Sequence, residues 1–522
     1  MTLRSKDRGL YLGVVAERAA VKHGATPLVL DHELAIAPDA GRRLTVAQLA
    51  GLVDDYGARL WAAGVRPSAH VAIHKSNNFD IYLLASAAAR IGAVPVLLSA
   101  ALDGDSVATL LGRLDRPYLI TDLDKLDGTL SGRDLAVNCS GILLAAGTRS
   151  GTIALDELAG SPTRRPIYQD LDEPALMTHT SGTTGLPKLV VHSARTLYGR
   201  FRPQRRLLAL IRRKETVAVH VSYVHSRMFL AMAVLLPRAM PLVIMTHSEP
   251  DLVAELFART RPGFIETHPN SFAEWEELVH DPRAPLANVK YFSTTFDAIH
   301  PGTMDRLLKA SRRRFPLFVQ IYGQSECGPL VGRGYTARNV HKADGRCLGY
   351  AMPGISKFRI VSRNGHRPSK KHPGYVEVFT PGRAVTYYGE QQRFDQQLNG
   401  KWWRGMDVGY RGRFGCLHLL DREVDQIPNV HSTLAVEDAV LSRLEEVTEL
   451  VLVAGPKQEP IPVVCTRQNQ PLDLARWRAA VADFPQLAPP IHLPLSELPR
   501  TATMKVQRSK LARQLCEQMA QD

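Results

Sequence analysis

The chain has 522 residues, 45% of them hydrophobic and 22% charged, an ordinary globular composition long enough for roughly three or four structural units with large cores. Its net charge is +14, yet the basic runs Arg200, Arg202, Arg205, Arg206, Arg212, Arg213, Lys214 and Arg312, Arg313, Arg314 lack the interleaved aromatics of a base-stacking surface. That excludes a nucleic-acid module and leaves a solvated face, or a field that draws in acidic ligands. No apolar run approaches the roughly 18 to 20 residues of a membrane helix, and Met1 to Arg8 does not lead into a signal-type core, so the reading is cytoplasmic with no membrane partner. Six cysteines, Cys139, Cys327, Cys347, Cys416, Cys465 and Cys516, show no C-x-x-C pair and no histidine at zinc-like spacing; they are expected to be reduced and buried.

Up to about residue 170 short apolar strands alternate with helices. Pro27 to Leu30 reads as a strand, Thr45 as the N-cap of a helix reaching Leu60, Val71 to His74 as a strand, Ile81 to Arg90 as a helix closed by Gly92, and Val94 to Leu98 as a strand. This β–α–β rhythm implies parallel strands covered by helices. Then comes Thr180-Ser181-Gly182-Thr183-Thr184-Gly185-Leu186-Pro187-Lys188, hydroxyls and glycines around one lysine, followed by the strand-like Leu189 to His192. Such a loop turns N–H and O–H donors toward an anion with an ammonium as counter-charge, and so cradles a polyphosphate. A P-loop is excluded, because Pro187 and Leu189 stand where Gly and Ser or Thr are needed.

A basic helix is expected over Thr196 to Lys214 and a strand over Val217 to Val221, leading into the loop Ser222 to Arg227. A further strand follows at Pro262 to Pro269, and then the segment Tyr291 to Ile299. Ile321-Tyr322-Gly323-Gln324-Ser325-Glu326-Cys327-Gly328 offers an aromatic face, a close-approach glycine, a hydroxyl and a carboxylate. Trp402 to Gly409 contains Asp407 and Leu420 to Ile427 contains Arg422. The last hundred residues read as α+β, with helices at Val436 to Leu444 and at Leu474 to Val481 behind Asp473, and strands at Leu450 to Val453 and Ile461 to Val464. Leu498 to Arg508 closes the chain and carries Lys505.

Together these motifs, in order over nearly the whole chain, resemble the adenylate-forming superfamily of acyl- and aryl-CoA synthetases, nonribosomal-peptide adenylation domains and luciferases. The resemblance implies an α/β fold: a large N-terminal domain (1–421) of mixed and parallel sheets with flanking helices, and a small mobile α+β C-terminal domain (422–522) hinged near 421–425. It implies an AMP-forming ligase that uses ATP and Mg2+, with Lys505, Lys188 and Glu326 catalytic and Glu326 on the metal. ATP falls to Thr180, Ser181, Gly182, Thr183, Thr184, Gly185, Asp297, Ala298, Tyr322, Gly323, Ser325, Asp407 and Arg422. His225, Arg227, Phe296 and Gly323 face the acid, and bulky Phe296 favours a small one.

The sequence departs from the pattern where Thr294, Thr295 and Phe296 replace a small glycine-rich segment at the adenine edge, and in four further places. Met406 and Met504 replace glycines, Val424 stands at the usual hinge Asp or Lys, and Asn429 to Thr433 lacks the glycine that admits pantetheine in CoA-using members. Three readings follow for the second half-reaction. The acceptor is CoA or the thiol of an acidic carrier protein, or it is an amine, including attack on activated nitrite, or the chain is a non-catalytic nucleotide-binding regulator. Retention of Lys188, Glu326, Asp407 and Lys505 together argues against the regulator.

Overall fold

The alternation of the N-terminal segment builds a sheet with eight strands among the described residues, in spatial order Thr386–Tyr387, Leu189–Ser193, Pro174–His179, Val94–Leu97, His70–Ile73, Tyr118–Thr121, Gly141–Leu144 and Ile153–Ala154. From Pro174–His179 onward the pairings are parallel; the first two strands run antiparallel. The structure, a computed structural model, describes residues 8–180, 187–209, 211–295, 299–484, 486–501 and 505–519. Val94–Leu97 and Leu189–Ser193 are buried at every position, as strands covered on both faces must be. The helix Val46–Ala62 starts on a capping box between Thr45 and Gln48, which satisfies two end N–H groups reciprocally. The helix Asp80–Arg90 is buried almost all round, which is why its sequence shows no polar stripe.

A second sheet has fourteen strands among the described residues. Pro27–Leu30, Leu242–Ile244, Val217–His220, Phe264–Thr267, Tyr291–Thr294 and Leu317–Gln324 form its parallel part. Beyond Leu317–Gln324 the sheet turns antiparallel, through Gly328–Tyr335, Cys347–Ala351, Leu417–Arg422, Trp402–Arg411, Gly374–Phe379 and Lys357–Val361. The change of direction leaves the carboxyl end of Leu317–Gln324 beside a tight turn, the kind of place where α/β sheets open a ligand crevice.

The C-terminal domain is a three-stranded sheet, Val447–Ala454, Pro460–Thr466 and Ile491–His492, with helices Thr433–Arg443, Leu474–Ala480 and Arg508–Met519. The last helix is missing from the sequence reading, which ended at Arg508; it is held by Leu511 and Leu515 packing on Val451 and Val453. The basic helix is shorter than expected, Ala194–Leu208, and Arg200 within it is 1% exposed rather than part of a solvated face. Among the described residues no helix is long and apolar enough to cross a membrane.

One buried ion pair fixes the entry to Asp80–Arg90. Lys75 Nζ lies 3.0 Å from Asp80 Oδ2 and donates to Asn78 Oδ1 at 2.7 Å, with the pair's side chains 1% and 0% exposed. Removing one partner leaves the other charge uncompensated, so Lys75→Met is expected to cost about 3–5 kcal/mol in urea unfolding, and Lys75→Met with Asp80→Leu distinctly less. A double variant no more stable than the single would refute this account of the pair.

Candidate functional site

Two cavities, of about 670 and 380 Å3, adjoin where the carboxyl end of Leu317–Gln324 faces the C-terminal domain; His179, Gly323, Gln324, Arg422, Thr501 and Lys505 line both. The hairpin of Pro174–His179 and Leu189–Ser193 brings Thr180 and Lys188 to the smaller one, and the Thr180 N–H donates to the Lys188 carbonyl at 3.0 Å. Ser181, Gly182, Thr183, Thr184 and Gly185, and likewise Phe296, Asp297 and Ala298, lie outside the described residues. Glu326 lines the same cavity from the turn after Gln324.

Between Lys188 and Glu326 stands a residue the sequence did not suggest. The Tyr387 hydroxyl donates to Glu326 Oε1 at 2.6 Å and accepts from Lys188 Nζ at 3.4 Å, with Nζ 4.6 Å from the ring centroid. Burial pulls the Lys188 ammonium below the usual lysine range, and the Glu326 carboxylate opposes that shift. The turn itself is anchored by Arg200, whose guanidinium donates to the carbonyls of Ser325 at 2.9 Å and Gly382 at 2.7 Å. Ser325 lines the smaller cavity beside Glu326.

The larger cavity carries Tyr322 and Asp407. Tyr322 donates its hydroxyl to the Asp407 carboxylate, Gln324 Nε2 donates to the same oxygen at 2.6 Å, and Trp403 Nε1 fixes Gln324 at 3.0 Å. Asp407 faces Arg422 across the ladder, with Arg422 Nε 3.7 Å from Asp407 Oδ1. Gln324 can reach in because residue 405 is glycine; a Cβ there would lie 1.9 Å from Gln324 Nε2. Met406 adopts φ +63°, so the left-handed turn favoured by glycine is kept by a methionine, at a cost of roughly 1–2 kcal/mol.

His225 caps the helix Ser226–Leu235, its Nδ1 accepting from the Arg227 N–H at 3.1 Å. Arg227 is not an open anion receptor. Its guanidinium is held bidentate by Glu266, itself 2% exposed, and donates also to Gln204. Burial, with Arg200 and Lys505 adding to it, pushes His225 down to about 3. Burial likewise brings His179 and His74 to about 4. These imidazoles are neutral near pH 7. On the strand that ends in Arg422, Asp421 accepts from the Thr433 hydroxyl at 2.7 Å and from the N–H groups of Thr433 and Leu434 at 3.1 and 3.3 Å. The stretch lacking the pantetheine glycine thus serves as a helix start, with Asn429 at φ +64° and Ser432 as the cap.

Tyr387, Gln324, Arg200 and Glu266 escaped the sequence reading because each acts across long sequence separations. A strand tyrosine or a helix arginine carries no local mark of its partner.

The profile of the AMP-binding enzyme family matches residues 16–388. A 3-amino-2-hydroxy-4-methoxybenzoate diazotase of Streptomyces cremeus is 46% identical, over 98% of this chain and 96% of that protein. A 3-aminoavenalumate diazotase of a Streptomyces species is 24% identical over 80% of this chain and 75% of its own length. In fold, a benzoate CoA ligase of Burkholderia xenovorans LB400 superposes with TM-score 0.78 at 17% identity, covering 96% of this chain and 99% of that one.

Neutral buried histidines carry a signature in stability. His74, His179 and His225 keep folded pKa values near 4, 4 and 3 and take up protons near pH 6.5 once unfolded. The unfolded chain then binds more protons, so stability is full above pH 6.5 and falls as the pH drops toward 4, by up to about 1.4 kcal/mol per pH unit for each group. Urea unfolding at pH 7.0, 6.0 and 5.0, where carboxylates still contribute little, should show the fall, and the triple His→Gln variant a shallower one. A flat profile in the parent would contradict the assignment.

Proposed function

The chain belongs to the AMP-binding enzyme family, it is an adenylate-forming ligase, and we propose that its acid is nitrite and its acceptor an aromatic amine, making it a diazotase. The observation that carries this reading is the 46% identity, over 98% of the chain, with a diazotase of an aminohydroxybenzoate. Two features support it: the stretch Asn429 to Thr433 has no glycine to admit pantetheine, and the smaller cavity, about 380 Å3, suits a single aromatic ring beside a triatomic anion. Of the acceptors left open by the sequence, the amine is therefore preferred over CoA.

In the first step a nitrite oxygen attacks the α-phosphorus of ATP, and the bond to pyrophosphate breaks. In the second the amine nitrogen attacks the nitrogen of the O=N–O–AMP anhydride and AMP leaves with its oxygen, while the amine gives up a proton. The N-nitroso product rearranges to a diazohydroxide and loses hydroxide, which water formation consumes, leaving the diazo group. Both steps bring together partners that water would keep apart, so alignment and charge neutralisation supply most of the catalysis.

The assignments of individual residues extend the same reading. Asp407 and Arg422 receive the ribose, Tyr322 the adenine face, Thr180 and Ser325 the phosphates. Lys188 neutralises the departing phosphates, and the small domain, read as 422–522 with its hinge near 421–425, delivers Lys505 to the attacking oxygen. The neutral imidazole of His225, whose Nδ1 already accepts from the Arg227 N–H, carries its proton on Nε2 and offers it as a donor to an oxygen of the acid, without adding a cation. Glu326 fits Mg2+, since it offers a hard carboxylate oxygen in the cavity that Lys188 lines; the ion, when bound, neutralises charge on phosphate oxygens.

Incubation with ATP, Mg2+, nitrite and an aminohydroxybenzoate is expected to release AMP and a diazo chromophore, and to need both nitrite and amine. AMP formed from benzoates with CoA, and none with nitrite, would restore the thioester reading. Lys505→Ala should abolish pyrophosphate exchange while nucleotide binding, measured by calorimetry, persists. Tyr387→Phe removes one hydroxyl from between Lys188 and Glu326 and should lower turnover by about 10- to 100-fold, less than the roughly 100- to 1,000-fold lost with a donor that meets the developing charge directly.

A further inference from the structure

All six cysteines are free, but three residues that the sequence scatters are gathered by the antiparallel part of the larger sheet. Cys347–Ala351 pairs with Leu417–Arg422, Cys347 lies opposite His418, and Cys416 immediately precedes the second strand. The two sulfurs and one ring nitrogen of His418 lie within 4.8 Å of one another. Cys416 Sγ is 3.7 Å from His418 Nδ1, close to the separation of two ligands on one tetrahedral zinc with Zn–S of about 2.3 Å and Zn–N of about 2.0 Å.

The surroundings match what such a site needs. His418 turns its other nitrogen, Nε2, toward Asp344 Oδ2 at 3.6 Å, the arrangement in which a carboxylate orients a ligating imidazole. Tyr410 stacks on the same ring at 4.7 Å. Residue 412 is glycine, and a Cβ there would stand 2.8 Å from Cys416 Sγ and 3.0 Å from His418 Nδ1. Its bare Cα keeps open the space beside both ligand atoms. The Arg333 guanidinium stands near Cys347 and Cys416 and would offset thiolate charge. Cys347 and Cys416 are 2% and 7% exposed, so an ion here would be shielded from chelation.

We infer that Cys347, Cys416 and His418 bind a zinc-class divalent cation in a structural Cys2His site, with solvent in the fourth position. Two thiolates and a neutral imidazole select a borderline-soft ion over Mg2+ or Ca2+. Binding displaces two thiol protons to solvent. The ion would clamp the start of Leu417–Arg422, the strand that ends in Asp421 and Arg422. Linear spacing hid the site because two ligands come from one strand and the third from another, some seventy positions earlier in the sequence.

The test uses the full chain without an affinity tag, incubated with zinc sulfate and dialysed against metal-free buffer. Elemental mass spectrometry should find about one zinc per chain, and less than about a tenth of that in Cys416→Ser and His418→Ala. Cobalt(II) in place of zinc should give the parent protein a thiolate-to-metal charge-transfer absorption, a readout that stands even if the variants fold poorly. No zinc retained by the parent, no such absorption, equal zinc in folded variants, or a Cys347–Cys416 disulfide formed in the presence of zinc would each overturn the proposal.

Discussion

The smaller cavity gathers several cations around one carboxylate, and holding those like charges together is the constraint that organises much of this molecule. Among the described residues, the smaller cavity is lined by Lys188, Arg227, Arg393, Arg422 and Lys505 against the single carboxylate of Glu326. Left to themselves such charges repel and splay. Instead many are tethered: Lys188 through Tyr387 to Glu326, Arg227 to Glu266, Arg422 beside Asp407, and Arg393 to Glu390 at 2.8 Å. The tethers come from both large sheets and from the connections between them, so the two sheets cooperate through charge as well as through their shared apolar core. Preorganised in this way, the cations would need little rearrangement around a bound anion.

The same economy governs the polar groups that are not charged. Asp407 is 3% exposed, yet the Tyr322 hydroxyl and the Gln324 amide both donate to it. His225 and His179, held neutral by burial, line the cavity without adding to its positive charge. A charged imidazole at either place would join an already crowded set of cations. Burial and electrostatics therefore favour the same protonation state.

How much was legible depended on whether the signal was local. Thr45 with Gln48, the alanine-rich helix before Gly92 and the cap at Asp473 declared themselves because their partners lie within a few residues. The strand that follows Lys188, Leu189–Ser193, was legible for the same reason, its apolar β-branched run being contiguous. Arg200 was misread because a run of arginines looks solvent-facing until another segment offers it carbonyls, here those of Ser325 and Gly382. The helix Arg508–Met519 was missed because its low overall hydrophobicity leaves Leu511 and Leu515 as the main buried residues. Methionine at 406 looked like a departure from a glycine pattern, whereas its backbone retains the glycine-like turn.

The bonds from Thr433 and Leu434 to Asp421 bear on how the two lobes can turn. Asp421 is 2% exposed, and its donors come from the helix on the far side of the proposed hinge. An axis passing between residues 421 and 433 would strip a desolvated carboxylate of its partners, at a cost of a few kcal/mol. A hinge at that place would therefore behave less like a free swivel than like a detent. One orientation clicks into place, and leaving it requires either a pivot upstream of Asp421 or a new contact elsewhere strong enough to release the catch.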